Sequence, residues 1–245
     1  MKPATLAPVA LLSVLLSGTT GAGPVQFTGY DDFYRSLGGN LFLGPGTELG
    51  MPCTESPRHC LWATSAIQAM RRHADAQWTV PGSLALEPTD GLPDVVFDGQ
   101  TMSVGARRWP LRGAVDLAPP AWRTGASIRP ENLADVTAWQ HGTSVCLDMR
   151  YVSSGKGDRY TKVLLLHGER LYLLPPLFGT CAAIRTAPHH RFSYPSNTYL
   201  GSGMEDSPRG LQVDYLLPDG RTRIARYLLR FPDPDNPFAF EVVGD

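Results

Sequence analysis

Between residues 144 and 230, apolar and polar side chains alternate with the two-residue period of a pleated strand. In 145–151, Val145, Leu147, Met149 and Tyr151 fall on one face and Cys146, Asp148 and Arg150 on the other, which predicts a strand with one buried side. Similar segments predict strands at 144–152, 160–167, 170–174, 181–186, 211–217, 221–230 and 238–243. Pro218-Asp219-Gly220 between two of them is a hairpin signal. Shorter strands are expected near 84–87, 94–97, 101–105 and 108–112, punctuated by Asp90-Gly91 and Asp98-Gly99.

Helical spacing is confined to three places. Ser56-Pro57 reads as a cap with proline at the first helical position. Trp62, Ala66, Ala69, Met70 and His73 then recur on one face, before Val80-Pro81-Gly82 stops the element. A helix over 57–77 is the expectation. Pro130 and Glu131, followed by Leu133, Val136 and Trp139, predict a short second helix over 130–140. A shorter one is expected near 31–37, inside an irregular Gly/Pro-rich lead-in at 23–52. The expected class is therefore α+β, predominantly antiparallel β, a meander forming a barrel or sandwich. Residues 23–245 are read as a single β-rich domain.

The first 22 residues have a different pattern. Lys2 is followed by an apolar run over 4–16 and the small residues Ser17-Gly18-Thr19-Thr20-Gly21-Ala22. Charged start, short apolar core and small-residue exit predict a cleavable signal peptide over 1–22. The run is shorter than the roughly 20 residues that span a bilayer. Basic residues (22) nearly balance acidic ones (23), which argues against a nucleic-acid partner. Only Lys2, Lys156 and Lys162 are lysines among the basic residues. With abundant Ala, Gly and Pro, this bias suggests a GC-rich bacterial genome and a periplasmic or secreted destination.

An oxidising destination makes the four cysteines a disulfide framework. Three connectivities are open. Local structure favours Cys53–Cys60, which would clamp the entry to the 57–77 helix, and Cys146–Cys181, joining the polar faces of two strands. If those strands were antiparallel neighbours, Asp148 or Arg150 would lie near Arg185.

Candidate chemistry is sparse. Cys60-Leu61-Trp62-Ala63-Thr64-Ser65 at a helix start resembles the papain-type cysteine protease signature. That resemblance implies Cys60 as nucleophile, His189 or His190 as its base and Asn197 as the residue orienting the imidazole. The match covers six residues; Leu61 stands where the family has its aromatic, no Gln precedes Cys60, and Cys53 is near enough to take the thiol into a disulfide. His141-Gly142-Thr143-Ser144 lacks the second glycine of a nucleophile elbow, His189-His190 lacks a third metal ligand at a recognisable spacing, and Asp233-Pro234-Asp235-Asn236 lacks the acidic spacing of a calcium loop. No cofactor or metal is expected. Tyr194-Pro195-Ser196-Asn197-Thr198-Tyr199 reads as an exposed aromatic stretch, with Tyr194, Asn197 and Tyr199 as recognition residues. The leading expectation is a non-enzymatic envelope protein binding a protein partner, of the inhibitor or immunity type. The alternatives are a secreted thiol hydrolase using Cys60 and a carrier for a small apolar ligand.

Overall fold

A computed structural model of the protein describes residues 24–42, 61–63, 84–86, 95–97, 99–123, 128, 133–151, 159–201 and 208–244. The expected signal peptide over 1–22, the expected Cys53–Cys60 pair and most of the expected 57–77 helix lie outside these residues.

The described chain begins with Gln26–Phe27 (β1) and the helix Tyr30–Ser36 (α1). Tyr30, Phe33, Tyr34 and Leu37 recur at helical spacing and pack inward. Asp31 and Asp32 in the first turn and Arg35 in the last complement the helix dipole. Five short strands follow: Leu61–Ala63 (β2), Leu84–Leu86 (β3), Val95–Phe97 (β4), Thr101–Val104 (β5) and Arg107–Pro110 (β6). Val115–Asp116 (β7), Leu133–His141 (β8), Ser144–Tyr151 (β9), Thr161–His167 (β10) and Arg170–Leu173 (β11) come next. Arg185–Ala187 (β12), Arg191–Leu200 (β13), Gly210–Leu216 (β14), Arg223–Arg230 (β15) and Phe240–Gly244 (β16) complete the set.

These strands make three sheets, ordered β1-β16-β15-β14-β13-β12, β7-β11-β10-β9-β8 and β2-β3-β4-β5-β6. All pairings are antiparallel except β11 with β7. The predominantly antiparallel β class expected from the pattern is thus observed. The second sheet lies in the middle. One of its faces packs Val145, Leu147, Met149, Leu164, Leu166, Leu171 and Leu173 against Phe97, Met102 and Trp109 of the third sheet. Its other face packs Cys146, Val163, Leu165 and Tyr172 against Ile184, Phe192 and Tyr194 beside the first sheet. Double coverage accounts for the unbroken run Val163-Leu164-Leu165-Leu166 in β10, since a strand buried on both sides needs no polar alternate.

Four expectations are corrected. Residues 133–141 are a strand, not the helix expected over 130–140: β8 runs into β9 through Gly142-Thr143, with His141 opposite Ser144, and this hairpin pairing overrides the helical reading of Leu133, Val136 and Trp139. Leu61–Ala63, inside the expected 57–77 helix, is a strand pairing with β3; a short apolar run is compatible with either period. The strand expected at 181–186 is split into a 3-10 turn at Cys181–Ala183, capped by the Thr180 hydroxyl, and β12. The recognition loop expected at 194–199 is instead the interior of β13, paired along its length with β14.

Candidate functional site

The disulfide links Cys146 of β9 to Cys181, with their Cα atoms 5.9 Å apart. It does not join neighbouring antiparallel strands. It ties the middle sheet to the turn that leads into the first sheet, and both sulfur-bearing residues are fully buried. The face of β9 read as polar is therefore an interior face. Asp148 lies on it two residues past Cys146 and contacts the same turn, rather than Arg185, whose guanidinium instead donates to the Gly38 and Leu37 carbonyls.

Around Asp148 opens a cavity of about 380 Å³, between α1, the strands β9 and β10 and the loop 174–180. Its floor is the Asp148 carboxylate. Oδ1 accepts from the Cys181 backbone N–H at 2.7 Å, and Oδ2 accepts from the Thr180 hydroxyl at 3.1 Å and the Trp139 indole N–H at 3.2 Å. Its walls are aromatic. The Tyr30 ring stacks on Phe178 with centroids 3.9 Å apart, and Phe238 meets Phe178 edge-on at 5.6 Å. Asp31 and Thr161 also line it.

The loop 174–180 is wholly buried, an unusual setting for irregular backbone, whose polar groups then need internal partners. Thr161 N–H donates to the Pro176 carbonyl at 3.0 Å, the Phe178 N–H to the Arg159 carbonyl at 2.8 Å, and the Thr161 hydroxyl to the Gly179 carbonyl. Phe178 has φ +50, a left-handed conformation uncommon for a bulky residue. A Cβ on Gly179 would sit 2.6 Å from the Pro175 carbonyl oxygen, so only glycine fits. Backbone strain of this kind concentrates at functional sites.

Burial pushes the Asp148 carboxyl up to about 7, against the pull of its three donors, with Asp31 adding to the rise. Burial likewise raises the Tyr30 hydroxyl, which donates to the Pro237 carbonyl at 2.9 Å. A carboxylate offers about four acceptor positions. Among the described residues three are used, one on Oδ1 and two on Oδ2.

Asn197 and Tyr199, expected on an exposed loop, stand behind this cavity. The Asn197 amide donates to the Leu177 carbonyl at 2.6 Å and the Tyr34 hydroxyl at 3.0 Å, which pins the loop. Tyr199 packs its ring edge-on to Phe178 at 6.2 Å. Tyr194 is buried among Phe192, Leu165 and Trp139 and does not reach the cavity. His189 and His190 sit on the exposed turn between β12 and β13; Cys60, their expected partner, lies outside the described residues. Among those residues, Cys146, Asp148 and Cys181 are the one group with metal-ligand spacing, and the two sulfurs are bonded to each other. Sequence reasoning missed Asp148, Tyr30 and Phe178. The available signal was the apolar loop Leu174-Pro175-Pro176-Leu177-Phe178-Gly179, too apolar to lie on a surface.

Comparisons with protein-family models, curated proteins and solved structures gave no match to the chain. Among the described residues no helix is long and apolar enough to cross a membrane.

Proposed function

We propose that the protein is an exported, disulfide-braced binding protein of the cell envelope whose cavity receives a basic side chain of a protein partner. The observation that carries this reading is the Asp148 carboxylate, which lines the cavity with three donors among the described residues, in a cavity walled by three aromatic rings. A guanidinium or ammonium group supplies both a charge-assisted donor for Oδ1 and a cation for the ring faces. The hydroxyls of Thr161 and Thr180 already donate within the fold, so the cavity presents acceptors to an incoming group. An inhibitor or immunity protein neutralising an envelope hydrolase or toxin would use such a socket as one anchor in a larger interface.

N-acetylarginine amide and its citrulline counterpart differ in charge at nearly constant shape, and calorimetric titration with each tests the socket. The arginine compound should bind saturably, with affinity lost in Asp148→Asn, and the citrulline compound should not. Equal binding of both would sink the reading.

A second groove, about 460 Å³ and lined by Val25, Phe27, Phe33, Leu37, Tyr227 and Val242, favours the carrier of a small apolar ligand as the competing reading. Saturable uptake of a fluorescent medium-chain acyl probe, abolished by Leu37→Arg, would support it; no uptake would remove it. Thiol titration of the denatured, unreduced protein decides the thiol-hydrolase reading, which four blocked cysteines would end.

A further inference from the structure

Four residues before Asp148 on the same strand, roughly 13 Å away at the rise of a β-strand, three hairpin turns come together. Ser144 opens β9 after Gly142-Thr143, His167 closes β10 before Gly168, and His190 ends the turn between β12 and β13. The Ser144 Oγ lies 2.9 Å from Nδ1 of His167, and Nε2 of the same ring lies 2.9 Å from the His190 carbonyl oxygen.

This geometry assigns the tautomer. A carbonyl can only accept, so Nε2 carries the ring proton; in the neutral imidazole Nδ1 is then an acceptor, and the Ser144 hydroxyl donates to it. The ring is held further by Phe192, edge-on at 5.4 Å between centroids. His189 and His190, with φ +61 and +55, are consecutive non-glycine residues in the left-handed region, and their turn presents the carbonyl that orients the base. Hydroxyl, base and orienting group are the three parts of an activated nucleophile.

We propose that Ser144 is a nucleophile, with His167 as its general base, that accepts the acyl group of a small activated ester. As Ser144 Oγ bonds to the ester carbonyl carbon, its proton passes to His167 Nδ1 and the C=O electron pair moves onto the carbonyl oxygen. Collapse of the tetrahedral intermediate breaks the bond to the leaving oxygen, which takes the proton from Nδ1, giving acyl-Ser144 and an alcohol. Water repeats the sequence with Nδ1 as base and releases the carboxylic acid. Ser144 is only 5% exposed, while Gly142, Thr143, His189 and His190 are exposed. Short acyl groups arriving across these turns are therefore the substrate class. This site is independent of the Asp148 cavity, and neither proposal rests on the other.

The test treats the full chain with p-nitrophenyl acetate and with a fluorophosphonate, reading adducts by intact mass and peptide mapping. One adduct per chain on Ser144 is expected, absent after unfolding in urea. His167→Gln keeps an N–H toward the His190 carbonyl but removes the base, and should lower the labelling rate by about 100-fold or more. A merely structural hydrogen bond would leave that rate unchanged. Ser144 unlabelled in the folded wild type, or labelled equally fast in His167→Gln or in urea, overturns the proposal. Mapping the adduct on the wild type keeps this decision clear of any Ser144→Ala folding defect.

Discussion

Asp148 on β9 and Asp214 on β14 look alike along the chain. Each is flanked by large apolar residues on the opposite strand face, Leu147 and Met149 in one case, Val213 and Tyr215 in the other. In space they differ. The first sheet has helix α1 and the loop 174–180 on the face that carries Val213 and Tyr215, and Asp214 sits on the other face, where Arg226 reaches it through two hydrogen bonds at 2.7 and 3.0 Å. Partial burial pushes the Asp214 carboxyl up, but the hydrogen bonds and charge of Arg226, with Gln212 and Arg223, outweigh it and hold it below the usual range. The middle sheet is covered on both faces. Asp148 there meets neutral N–H and O–H donors and no guanidinium among the described residues, and burial raises it to about 7. A second layer turns a solvent-facing position into a cavity floor.

Replacing Cys146 and Cys181 by alanine together should have the largest effect. Their bridge closes a separation of 35 residues, worth about 4 kcal/mol in the loop-entropy model, read from urea midpoints. A loss under about 1 kcal/mol would mean that packing alone holds the second layer on β9. Next, Asp148→Ala leaves the Cys181 N–H, the Thr180 hydroxyl and the Trp139 indole without their acceptor and should cost about 3 kcal/mol.

The pH dependence should also separate the two positions. With its folded value raised to about 7 and an unfolded value of about 4, Asp148 holds its proton more tightly in the fold. Its contribution to stability is full below about pH 4 and is lost as pH rises through about 7. Thermal melts of wild type should therefore fall from pH 5 to 8 relative to Asp148→Asn, by about 2 kcal/mol after allowing for solvent in the cavity. Asp214, held low, has the opposite sign: its contribution is present above about pH 4 and lost on acidification. Parallel pH profiles for Asp148→Asn and wild type would sink the account of the cavity floor. The smallest effect is expected for Asp214→Ala, about 1 kcal/mol or less in denaturant unfolding, since Arg226 stays solvated when its partner goes.

Much of the strand map was legible because strand signals are local. Asp219 illustrates this: it accepts from the Thr222 hydroxyl and from the backbone N–H groups of Thr222 and Arg221, all within three residues. The hairpin at Pro218-Asp219-Gly220 forms as predicted, with Gly220 at φ +68. The failures sit where local periods are ambiguous or where a distant element decides. Leu133, Val136 and Trp139 satisfy a helical stripe, yet β9 offers this segment a ladder of eight residue pairs, with a register shift between Leu133 and Asp135. Tyr194 and Tyr199 carry the composition of a recognition loop but are placed by pairing to β14. Asn197, a recognition residue by its sequence setting, stands behind the cavity as an anchor for the loop 174–180 and not as an exposed contact.

By itself, the sequence determined much of the alternation of strands, the hairpin at Pro218-Asp219-Gly220 and the short helix near 31–37, because backbone geometry and side-chain period act over a few residues; it favoured the Cys146–Cys181 pair without fixing it, since that bridge spans 35 residues. Only the tertiary structure decided which segments cover the two faces of the middle sheet and that a charged residue on β9 faces a walled cavity. It also decided that Ser144, His167 and His190 converge. Those outcomes depend on which surfaces of distant segments exclude water from one another; an unbroken apolar run such as Val163–Leu166 marks a strand buried on both sides, but it does not say which segments cover it.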